Sequence, residues 1–90
     1  MTAAGVPGAD LIEAGLSDLA RGIRSVEAFL VSIAAPRLEA LGLDVPRRLS
    51  DPEVGLYRML AARYGDAAHA RYNALIRRAV SYQRALACAR

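Results

Sequence analysis

Between Val26 and Ala35 the chain reads VEAFLVSIAA, and this stretch limits the fold more than any other. Val26, Phe29, Leu30 and Ile33 form a stripe at helical spacing, yet Ala28, Val31, Ala34 and Ala35 leave the segment apolar nearly all round. A helix of that kind has almost no face to offer to water and is covered on most sides by its neighbours. In a chain of 90 residues it therefore belongs at the centre of a helical arrangement. Ser25 is suited to open it, and Glu27 falls in the first turn, where the helix dipole favours an anion. Pro36 removes one intrahelical hydrogen bond and clashes with the preceding turn. The sequence thus predicts a kink there, or an end at Ala35 with a short helix from Pro36 to Leu41; Gly42 stops it in either case.

The flanking segments supply the covering. Ile12, Leu16, Leu19 and Ile23 recur at i, i+4, i+7 and i+11, one face of a helix capped by Asp10 and ended by Arg21-Gly22. Gly15 inside it suggests a close helix contact, since Gly costs about 1 kcal/mol relative to Ala at such a position. Ser50-Asp51-Pro52-Glu53 matches the S-x-x-E capping box, with Leu49 and Val54 placed as a hydrophobic staple. The helix after it carries Val54, Tyr57, Leu60, Ala61 and Tyr64 on one face and ends at Gly65. Asp66 then caps a last helix with Tyr72, Leu75, Ala79, Tyr82, Leu86 and Ala89 at 3-4 spacing and Ile76 widening the seam. No strand pattern and no internal repeat occurs. The expectation is an all-α fold, a small antiparallel bundle of four to five helices at about 10–22, 25–35, 36–41, 51–64 and 66–88. Residues 1–9, with two Gly and a Pro, form a disordered or extended lead-in, and 10–90 form a single helical domain.

Composition bounds the function. The apolar fraction is 54% and the mean hydropathy +0.19, which excludes a disordered chain. The longest apolar run, Ala28 to Ala35, is far short of the ~20 residues a membrane span requires, so no membrane partner is expected. No basic segment followed by an apolar one opens the chain, and the single Cys, Cys88, excludes an internal disulfide. A cytoplasmic location follows as the expectation. A core this small buries only ~60–65% of the unfolded surface, so a homodimer that covers more is also expected.

All twelve basic residues are Arg, and they are unevenly spread. Residues 1–46 carry three Arg against six acids; residues 47–90 carry nine against three. Arg71 with Arg78, and Arg77 with Arg84, form two rows at seven-residue spacing beside the last helix's apolar seam. With Arg63 they make a candidate nucleic-acid surface, whose affinity would fall steeply with salt. Alternatively, the rows pair with Asp10, Glu13, Asp18, Glu27 and Glu39 of the acidic half, at about 0–1 kcal/mol per exposed pair.

Two short resemblances fall in the same region. Leu60-Ala61-Ala62-Arg63-Tyr64-Gly65, with Leu75 ten residues on, resembles the first helix and turn of GntR-type winged-helix regulators. The resemblance covers about sixteen residues within 57–76. It implies that Ala61 packs under the second helix, Gly65 takes the turn and the helix from His69 to Arg84 contacts DNA. Asp66 and Arg71 stand where that motif is apolar, and no strand pair for a wing follows. Arg63 and His69, with five residues between them, also fit the R-x(4–6)-H pattern of the HEPN family of helical ribonucleases. That resemblance implies His69 as general acid or base and Arg63 as stabiliser of the phosphorane charge. Tyr64 replaces the family's usual polar residue, and Gly65 interrupts the helix between the two partners.

One Cys and one His nineteen residues apart give no metal-ligand spacing, and no Gly-rich phosphate loop is present, so neither metal nor cofactor is expected. The tyrosines fall at core or interface spacing. The favoured expectation is a cytoplasmic regulatory or protein-interaction module without catalytic activity of its own. Its interaction face is Tyr57, Tyr64, Tyr72, Leu75, Ile76, Ala79, Tyr82 and Leu86, with a nucleic-acid-binding regulator as the alternative.

Overall fold

The all-apolar segment does sit at the centre. In the computed structural model, which describes residues 6–89, α2 (Val26–Ala40) packs against every other helix: α1 (Ala9–Ala20), α3 (Pro52–Tyr64) and α4 (Ala68–Cys88). Ala28, Phe29, Leu30, Val31, Ala34, Ala35 and Leu38 of α2 are all buried, against Ile12 and Leu19 of α1 and Leu56 and Leu60 of α3. The chain is all-helical, with no strand among the described residues, and its radius of gyration of 12.6 Å matches the ~12 Å of a compact chain this long. No helix among the described residues is long and apolar enough to cross a membrane.

Among the described residues the continuous helical stretches number three, not the expected four to five. Pro36 lies within α2, which continues to Ala40 instead of ending at Ala35. Proline costs about 3 kcal/mol inside a helix, but Pro36 itself is exposed, and prolonging the helix buries Leu38 completely. Full burial of a leucine contributes about 1.5–3 kcal/mol, which offsets most of that cost. The third stretch runs from 52 to 88, because a 3-10 turn at Gly65–Ala67 joins α3 directly to α4.

The ends of α1 and α2 follow the sequence. Each stops in a glycine whose positive φ, 73° at Gly22 and 97° at Gly42, closes the last turn by the paired bonds of a Schellman motif. At α1, Gly22 N–H donates to the Leu19 carbonyl and Ile23 N–H to that of Asp18; at α2, Gly42 donates to Glu39 and Leu43 to Leu38. Ser25 caps α2, its Oγ accepting from Ala28 N–H at 3.0 Å and donating to Asp18 at 2.6 Å. That shared hydroxyl ties the end of α1 to the start of α2. Gly15 marks the close contact between them: a Cβ there would overlap Val31 Cγ2 and the Glu27 carbonyl oxygen.

Three expected caps are not formed. Gly8, at φ 76°, precedes α1, so Asp10 lies in its first turn instead of capping it. Of the expected lead-in, residues 1–5 lie outside the described residues, while residues 6–8 turn into the helix through Ala9 N–H to the Val6 carbonyl. At α3 the capping residue is Asp51, at φ 46° and ψ 51°, with no side-chain cap bond. Proline at the first helical position disfavours a right-handed helical conformation before it, and this shifts the start one residue past Ser50. Glu53 then falls one place too early for the box, and Val54 of the supposed staple is 51% exposed. Asp66 sits inside the 3-10 turn and caps nothing. The connector is instead held by buried Ser32, whose Oγ donates to the Ala28 carbonyl and accepts from Leu49 N–H, both at 2.9 Å.

Candidate functional site

α1 and α3 both pack beside α2 and α4 but do not meet each other. The gap between them is a cleft of about 300 Å³. Its floor is apolar: Leu11 from α1, Val26 from α2, Leu60 from α3, and Ala74 and Leu75 from α4. Arg63 and Tyr64 rise from the end of α3, and Arg71 and Arg78 from positions two turns apart on α4, with Glu27 the acidic residue in the lining. Arg71 and Arg78 share an edge because seven residues are close to two full helical turns.

The cations differ in what holds them. Arg71 lays its guanidinium over the Tyr64 ring, 4.3 Å from the centroid, across the 3-10 joint. Arg78 reaches α1, where Nη2 pairs with Asp10 Oδ1 at 2.9 Å. Arg63 and Arg71 make no ion pair among the described residues. Of the acids expected to neutralise the arginine rows, Asp10 alone does so, whereas Asp18 pairs with Arg21 and Glu39 with Arg48. A second cleft of about 360 Å³ adjoins the first and shares Ala74 and Arg78 with it; Pro7, Gly8, Arg77 and Ser81 complete it.

The expected nucleic-acid residues therefore divide. Arg63, Arg71 and Arg78 converge on one cleft and Arg77 on its neighbour, while Arg84 is exposed and lines neither. Arg63 and His69 are not brought into one site. His69 is exposed, outside the cleft, and its Nε2 lies 3.2 Å from Asn73 Nδ2. Ala61, which the winged-helix resemblance would bury under the second helix, is exposed.

The proposed interaction face is largely spent within the chain. Ala79 is fully enclosed, and Tyr72, Leu75, Ile76 and Tyr82 pack against the core. Leu86 is half-buried, and Tyr57 and Tyr64 remain exposed. Tyr57 meets Tyr72 with ring centroids 5.9 Å apart. Burial, with a smaller contribution from Glu53, raises the Tyr72 hydroxyl pKa above its usual 10.0; burial and Glu13 do the same for Tyr82.

Sequence reasoning did not find Leu11, Val26, Glu27 and Leu60 as cleft residues. One signal was available: Leu11 is apolar yet lies beside, not on, the Ile12-Leu16-Leu19 face. No group of three or more His, Cys, Asp or Glu among the described residues is placed to hold a metal. No protein-family model, no curated protein and no solved structure matches the chain.

Proposed function

We propose that the chain is a small protein-interaction module, without catalytic activity of its own, that receives an anionic group of its partner in the cleft between α1 and α3. The observation that carries this is the convergence of Arg63, Arg71 and Arg78 around an apolar floor, with two of the three unpaired among the described residues. Guanidinium groups bind carboxylates through paired, parallel hydrogen bonds, and Arg and Tyr are favoured at protein interfaces. Apolar surface beneath them adds affinity that charge alone lacks in salt water.

The test is titration of labelled poly-glutamate of about twenty residues, at several salt concentrations. Arg63→Gln combined with Arg71→Gln should lower affinity at least tenfold while leaving the helical circular dichroism intact. Unchanged binding by that variant refutes the reading. Homodimerisation forms no part of it, because the α4 seam expected to build a dimer already covers the chain's own core.

A second reading, a nucleic-acid-binding regulator, draws support from Arg77 lying next to Arg78 in the adjoining cleft. It requires duplex or RNA binding that falls log-linearly with salt and drops in Arg77→Ala plus Arg78→Ala. The apolar floor weighs against a duplex, whose exposed sugar-phosphate backbone offers nothing to fill it, though not against unpaired bases.

A further inference from the structure

We infer that the partner presents an extended acidic segment with one apolar anchor residue, which runs along α4 from the main cleft across Arg78 into the second. This rests on the protein-interaction reading above and adds the chemistry and path of the partner. The two clefts share Ala74 and Arg78, so they form one trough with Arg63 and Arg71 at one end and Arg77 at the other. Arg71 and Arg78 are separated by about 10 Å along the helix axis, roughly three residues of extended peptide at ~3.3 Å each.

One carboxylate of the chain itself already meets Arg78, the residue the two clefts share, from outside their lining. Asp10 sits on Arg78 at 2.9 Å, and Pro7 and Gly8 just before it line the second cleft. The start of α1 thus stands where a partner's acidic residue docks, and it marks the seat as one that takes a carboxylate. Leu11, the next residue, joins Val26, Leu60 and Leu75 in the floor, which receives the anchor. An incoming segment must displace Asp10 from Arg78, so Asp10 competes with the partner. An exposed ion pair of this kind holds weakly, and the competition lowers affinity by about two- to fivefold.

The experiment uses the full chain and a labelled twelve-residue peptide of Glu with a single central Leu, read by fluorescence anisotropy. The Leu→Gly peptide and a twelve-nucleotide oligouridine serve as comparison probes. The peptide is expected to bind, and to bind about tenfold more weakly without its Leu, as removal of a partly buried side chain predicts. Arg77→Gln should lower affinity about threefold. Asp10→Asn should raise it two- to fivefold, beyond any gain from Glu13→Gln, which removes an equal charge one turn away that pairs with no cation among the described residues.

If Arg77→Gln has no effect, or Asp10→Asn gains no more than Glu13→Gln, while Arg63→Gln plus Arg71→Gln still abolishes binding, the trough is refuted and the interaction module stands. If Arg63→Gln plus Arg71→Gln also leaves binding unchanged, or no probe binds, both fall. Tighter binding of oligouridine than of peptide, with the same arginine dependence, replaces the acidic segment with nucleic acid.

Discussion

Gly15→Ala is the most demanding test of how the cleft is built. On helix propensity alone the change stabilises, because Ala is favoured over Gly by about 1 kcal/mol within a helix. The structure opposes that gain. The added methyl would overlap Val31 Cγ2 and the Glu27 carbonyl oxygen and stand 2.9 Å from the Glu27 carbonyl carbon. Val31 is fully buried, and the Glu27 atoms belong to the backbone of the central helix, so neither can turn aside. Overpacking of a tight core costs about 1–3 kcal/mol, and a backbone obstacle places this case at the upper end. Net destabilisation is therefore about 2 kcal/mol, or a fall in melting temperature of about 8–16 °C for a chain of this size. Thermal unfolding followed by circular dichroism measures it, with the exposed Ala14→Gly in the same helix as the propensity control. A Gly15→Ala protein as stable as the parent, or more so, would show that α1 and α2 are not in contact at that point. The same substitution bears on binding. α1 carries Leu11 and α2 carries Val26 and Glu27, so prising the two helices apart widens the cleft and, on the proposed reading, weakens binding there.

Other perturbations follow from single interactions. Ser32→Ala removes the acceptor of Leu49 N–H and should cost about 1–2 kcal/mol; denaturant unfolding and faster amide exchange at Leu49 check it, and a loss below about 0.5 kcal/mol refutes the role given to the hydroxyl. Raised tyrosine pKa values make stability pH-dependent at the alkaline end. Above about pH 10 the unfolded chain releases phenolic protons that folded Tyr72 and Tyr82 retain, so stability is complete below that pH and falls as pH rises through the folded values. Tyr72→Phe plus Tyr82→Phe should flatten this decline in melting curves taken between about pH 9 and 11, and an unchanged slope contradicts it. Purified protein and its His69→Ala variant should be alike in leaving RNA uncleaved; cleavage lost only in the variant would restore the ribonuclease reading.

Local rules made the centre of the fold legible. The all-round apolar character of α2, the Ser25 cap and the glycines at 22 and 42 each act within a few residues, and each appears where the spacing placed it. The rules failed where tertiary burial competed with them. Of the two outcomes Pro36 allows, a kink or an end at Ala35, the end is the one that does not occur, because the burial of Leu38 beyond it favours continuation. The Ser50 box failed for a local reason that outranks it, since Pro52 restricts the residue before it and moves the helix start. The cleft was the least legible part. The three arginines were singled out, but the floor joins Leu11 to Leu75, and the Asp10–Arg78 pair spans 68 positions. Nothing in a helical periodicity reports that α1 and α3 stay apart, because that follows from how both are packed against α2 and α4.

The 3-10 turn at Gly65–Ala67 has a mechanical consequence. Residues 61–67 are all exposed, so no core packing stiffens the joint between α3 and α4. Arg63 and Tyr64 lie on one side of it and Arg71 on the other, bridged by the stacking of Arg71 on Tyr64. A ligand held by arginines from both sides acts as a splint, and amide exchange at residues 65–67 should slow in proportion to occupancy although the ligand touches none of them. On the proposed reading, occupancy of the cleft therefore registers as a change of stiffness at the joint.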